Sequence, residues 1–168
     1  MWWLAIIPFI LQGVVIFFDE VFFHIKRGLP KWEQLGHPLD TLTVLLCMAF
    51  VIWVPFSKTA LIVYIALAIF STLFVTKDEF VHKEHCCARE QWLHAVLFTL
   101  HPITLASAGF IWPVIQQVPV ENWILSWLDK PHALSLFLYG QFVAMSFFFL
   151  YQIVFWNIIW KGAPHDQQ

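Results

Sequence analysis

Hydrophobic positions in this chain neither alternate nor form a narrow helical stripe; they run on in long blocks. The first block covers residues 1–18 and continues through Val21, Phe22 and Phe23. The others cover 39–56, 59–75 with a helical continuation to about 85, 92 to about 115, and 133 to about 160. Each reaches or approaches the roughly 20 residues that cross a hydrocarbon core. Lipid satisfies no open backbone group, so every block is predicted to be helical. Residues 118–129 (VPVENWILSWLD) are short, Trp-rich and amphipathic, which predicts a helix lying along the interface. The first block has no basic leader and no small-residue cleavage site, so it reads as a retained span rather than a signal peptide. No internal repeat or low-complexity tract interrupts the chain, which gives a single transmembrane domain over residues 1–168.

Composition narrows the class. Of 168 residues, 60% are hydrophobic and 12% charged, and mean hydropathy is +0.72. A soluble domain carries about 25% charged residues. So much apolar mass excludes disorder. Three cysteines, two of them adjacent, exclude a disulfide scaffold. A net charge of −2 gives no footprint for a nucleic-acid partner. The reading is an all-α polytopic membrane helix bundle with about five transmembrane helices.

Five spans place the termini on opposite sides. Lys26, Arg27, Lys31, Lys77, Lys83, Arg89 and Lys161 fall on one side, Lys58 and Lys130 on the other. Positive residues accumulate inside, which puts the N-terminus out and the C-terminus in the cytoplasm. The expected location is a bacterial inner membrane, as a multi-pass protein.

The polar residues then sort by depth. Asp19, Glu20 and His24 close the first span, His37 and Asp40 open the second, Asp78, Glu79, His82 and His85 close the third, and Glu90 and His94 open the fourth. All these ends share the cytoplasmic leaflet. Residues three or four apart share a helix face; Glu20/His24 and Glu90/His94 are i,i+4, and His37/Asp40 is i,i+3. His101 follows His94 on its face, about 10 Å deeper. Ser71, Thr104 and Ser107, with Tyr139, Ser146 and Asn157 on the fifth span, extend the stripes toward a polar cavity. Taken alone, each pair has a plainer explanation: Glu20/His24 as a solvated interfacial pair, and Asp40 as a cap for the second helix.

Together they ask for a counter-charge. Ionisable groups within a span are costly, and the intramembrane stretches hold almost no Lys or Arg. Imidazole mixed with carboxylate suits iron or zinc rather than calcium or magnesium. The donors exceed one tetrahedral site. The expected metal set is Glu20, His24, His37, Asp40, Asp78, Glu79, His82, His85, Glu90, His94 and His101. Two iron ions are the preferred content, with zinc the alternative. Glu79-x-x-His82 has the spacing used in helical di-iron carboxylate bundles, but it occurs once and assigns no family. The expected function is oxidation, hydroxylation or desaturation of a membrane lipid or other apolar small molecule. No haem, flavin or iron–sulfur motif is present, so an electron-donor protein would supply reducing equivalents. A zinc-dependent membrane hydrolase and a non-enzymatic metal transporter or sensor are the alternatives. His85-Cys86-Cys87 lacks the C-x-x-C spacing and reads as structural thiol.

Overall fold

The computed structural model describes residues 1–79 and 87–160. Its described part is all helical, and five helices are long and apolar enough to cross a membrane. They are α1 (Trp2–Arg27), α2 (Lys31–Trp53), α3 (Lys58–Val75), α4 (Ala88–Ile115) and α6 (Pro131–Ile159). The short α5 (Asn122–Trp127) precedes α6 and leaves Trp123 and Trp127 exposed, as an interfacial segment would. These features are consistent with a multi-pass membrane protein.

Local chemistry sets the helix ends. Gly28 stops α1 at φ 74°, a left-handed value that a Cβ disfavours. Pro30 precedes the first residue of α2. The Ser57 hydroxyl caps α3 by accepting from the Ala60 amide at 3.1 Å. At the opposite end of the bundle, Trp112 of α4 and Gln116, which follows its last residue, both donate to the Val54 carbonyl, at 3.0 and 2.7 Å. Those bonds tie the α2–α3 turn to the end of α4.

α2 starts eight residues before the apolar block that begins at Leu39, because Pro38 is absorbed inside the helix. α3 ends at Val75 in a 3₁₀ turn, Thr76–Asp78. The expected continuation toward residue 85 lies outside the described residues.

The helices pack α1 on α4, α2 on α3 and α6, and α3 on α4. The interior has two parts. Toward the α2–α3 turn it is apolar: Cys47, Met48, Val51, Ala108, Ile111, Trp112, Leu134 and Leu138 are buried. A Cβ on Gly109 would fall 2.8 Å from Tyr64 Cε1, so glycine is what lets α3 approach α4 here. Toward the α1–α2 turn the interior is polar and charged. Ile62, Leu73, Leu136 and Phe147 are strongly exposed, as lipid-facing side chains are.

Candidate metal centre

The polar half of the bundle is built on an irregularity in α1. Residues Glu20–His24 form a π-helical turn between two α-helical stretches. In a regular α-helix, residues five apart point about 140° away from each other. The wider turn brings Asp19 and His24 onto one side, with Glu20 also against His24. Such turns are frequent at functional sites.

His24 is the hub. Its Nδ1 lies 3.0 Å from Glu20 Oε2. Its Nε2 lies 3.2 Å from Asp19 Oδ2 and 3.9 Å from Glu90 Oε1. From α4, His94 Nε2 reaches the same Asp19 oxygen at 3.0 Å. Asp19, His24, Glu90 and His94 are all buried, and each offers a donor atom within 4.8 Å of the others. Bonds of about 2.1 Å to a tetrahedral ion hold ligand atoms about 3.4 Å apart. Small side-chain rotations therefore suffice to form such a site.

A second group overlaps the first on the α2 side. His24, Glu33 and His37 also offer donors within 4.8 Å of one another. The His24 and His37 rings lie 4.8 Å apart, and His37 Nε2 is 3.9 Å from Glu33 Oε2. Arg27 joins the two groups: one of its terminal nitrogens donates to Glu33 Oε2 at 2.9 Å and to Glu90 Oε1 at 2.8 Å.

Glu20 plays a different part from the other carboxylates. Its Oε1 accepts from the Tyr151 hydroxyl at 2.7 Å and from the Trp156 indole at 2.8 Å. Trp156 lies in a second π-helical turn, Phe155–Ile159 of α6. With Oε2 on His24 Nδ1, the carboxylate is satisfied on both oxygens and orients the imidazole.

Asp19, Glu20, Glu33 and Glu90 are buried carboxylates; Arg27 bonds Glu33 and Glu90, while His24 and His94 stand within ion-pair distance of Asp19. In the neutral tautomer that gives Nδ1–H to Glu20, the lone pair of His24 Nε2 faces two carboxylates. That nitrogen is buried and forms no hydrogen bond, and neither does Asp19 Oδ1. A cation among Asp19, His24, Glu90 and His94 could be held by that lone pair and the unpartnered carboxylate oxygen.

Of the residues the sequence singles out, the structure gathers His24, His37, Glu90 and His94, and sets Glu20 beside them. Asp40 instead holds Lys77 Nζ at 2.6 Å. His101 sits deeper, against Gln12 and Ser71. Glu79 is exposed. His82 and His85 lie outside the described residues, as does the side chain of Asp78. The described donors that come together stand on α1, α2 and α4. Of the fifth span's polar stripe, Tyr139 is exposed, Ser146 bonds back to the Phe142 carbonyl and Asn157 donates to the Gln34 carbonyl.

Asp19, Glu33 and Arg27 are missed by spacing alone. Asp19 was legible only as the neighbour of Glu20, because i,i+5 is not an α-helical face. Glu33 stands i,i+4 from His37, a signal hidden by starting the second helix at its apolar onset. No protein family, curated protein or solved structure matches the chain, so the functional reading rests on the centre itself.

Proposed function

We propose that this chain is an integral membrane metalloenzyme whose Asp19, His24, Glu90 and His94 bind a divalent transition-metal ion. The supporting observation is His24 Nε2, buried without a hydrogen bond and aimed at two carboxylates. A transition-metal ion accepts such a lone pair, whereas calcium and magnesium prefer oxygen alone.

Two iron ions remain the preferred content. Four carboxylates and three imidazoles form the kind of donor set that helical di-iron bundles use. The overlapping group at Glu33 and His37 supplies ligands for a second ion if Arg27 releases Glu33 and Glu90. Redox chemistry on a lipid or another apolar molecule from the bilayer follows from that content and from the lipid-facing surroundings. A separate protein would deliver the electrons. The basic residues at this end, Lys26, Arg27, Lys31, Lys77 and Arg89, support a cytoplasmic placement of the centre. With zinc the same residues would instead activate water for hydrolysis.

Elemental analysis of detergent-purified protein tests the reading. Iron near two per chain is the expected result, falling below one in Asp19→Asn and His94→Ala and unchanged in His132→Ala. Wild-type protein without stoichiometric metal would remove the basis of the proposal. Stoichiometric zinc would redirect it to the hydrolase.

A further inference from the structure

The two donor groups of the centre are not equally open to an ion. They share His24, whose Nδ1 is taken by Glu20, so only Nε2 is left to bind metal. With an ion on that nitrogen, the first group adds Asp19, Glu90 and His94, and the second group keeps Glu33 and His37. Arg27 lies across the two. Its Nη2 donates to Glu33 Oε2 at 2.9 Å and to Glu90 Oε1 at 2.8 Å. These are the oxygens that stand 3.9 Å from His37 Nε2 and 3.9 Å from His24 Nε2. A guanidinium nitrogen therefore rests on the carboxylates from which a second ion would draw its ligands. Asp19 Oδ2 faces His24 and His94 instead.

The position of Arg27 makes this contact displaceable. Both bonds run from one nitrogen, and Nε is buried without a partner. The guanidinium thus uses only part of its set of five donors. Its side chain is 21% exposed, against 0% for Glu33 and 2% for Glu90, so it stands at the rim of the cluster. Arg27 is also the last residue of α1, directly before Gly28 ends the helix. At a span end, a long stem lets the charged head return to water. A guanidinium does not give up its proton in a protein. Arg27 can release the carboxylates only by moving.

We propose that Arg27 is a displaceable counter-cation that orders metal loading. The first ion binds Asp19, His24, Glu90 and His94 with Arg27 in place, since Glu90 has two oxygens to share. The second binds at Glu33 and His37 as the guanidinium withdraws toward the interface. This rests on the metal reading proposed above and adds an order and a control to it. No covalent bond changes: one divalent ion takes up carboxylates that one guanidinium leaves. The second ion is consequently the weaker and the more readily exchanged. Its apparent dissociation constant is the intrinsic one divided by the fraction of molecules with Arg27 withdrawn, so a fraction of about 1% weakens binding about 100-fold.

The test is titration of metal-depleted protein in detergent with Co(II), followed by its visible absorption in competition with a chelator. Wild type is expected to bind in two steps, the second at least about tenfold weaker than the first. Glu33→Gln should lose the second step alone. Arg27→Ala should tighten the second step at least about tenfold more than the first. Guanidinium chloride, added to Arg27→Ala well below denaturing concentration, should weaken the second step again, and sodium chloride at the same concentration should not. Two ions of equal affinity in the wild type would overturn the proposal. So would a second step that is unchanged or weaker in Arg27→Ala, or a guanidinium effect no larger than that of sodium chloride. The wild-type steps need no variant, so a variant that fails to fold does not shield the proposal. One ion bound by both wild type and Arg27→Ala would overturn the loading order and leave the first metal site standing. No ion bound by either would remove both.

Discussion

Glu20 and Asp19 are neighbours in sequence with the same charge, yet their surroundings assign them different work. Glu20 accepts hydrogen bonds on both oxygens, from Tyr151, Trp156 and His24. Asp19 keeps one oxygen unpartnered and turns the other toward two imidazoles. A carboxylate that orients a ligand tunes affinity, whereas a ligand determines whether the ion stays. Removing an orienting partner of this kind typically weakens metal binding 10–100-fold. Glu20→Gln should therefore raise the metal dissociation constant by about that factor, measured by competition with a chelator, while the saturating stoichiometry holds. Asp19→Asn should lower the stoichiometry itself. Equal behaviour of the two variants would merge the roles.

At the scale of the element, the π-helical turn in α1 behaves as one residue spliced into an α-helix. Deleting Phe22, which is exposed, should let the turn relax to a regular helix. Asp19 and His24 would then stand i,i+4 and still share a face. Inserting an alanine after Phe22 adds a second surplus residue and turns His24 by about 100°, off the face it shares with Asp19. Metal content should survive the deletion and be lost on insertion, with helical circular dichroism preserved in both. Metal loss on deletion would mean that the widened turn itself is required. The same element shows where sequence reading stops. Glu20/His24 and Glu90/His94 were legible because they obey helical periodicity, and the five spans because lipid demands long apolar runs. Asp19 was legible at the end of the first span, but its pairing with His24 rests on a backbone irregularity that no spacing rule anticipates. Glu33 was hidden because α2 extends two polar turns ahead of its apolar block, through a proline that reads as a boundary. Arg27 joins Glu33 and Glu90 across two further helices, and such a long-range partnership leaves no trace in local pattern.

For the molecule as a whole, a bundle that crosses the membrane presents its two ends to different compartments, and the charged cluster lies at one end only. Helix geometry assigns no compartment to either end; charge does. Lys26, Arg27, Lys31, Lys77 and Arg89 stand at the cluster end, and Lys58 and Lys130 at the other. Lys and Arg resist translocation, so the cluster is expected at the cytoplasmic face. Cys87 reports on this directly. It is exposed at the start of α4, three residues before Glu90, while Cys47 is buried within α2. In a Cys86→Ser background, a membrane-impermeant maleimide should leave intact cells unlabelled and label Cys87 once the membrane is opened. Labelling in intact cells would place the centre outside. A reductant supplied from the cytoplasm would then have no access to it, and the oxidative reading would need an external electron source.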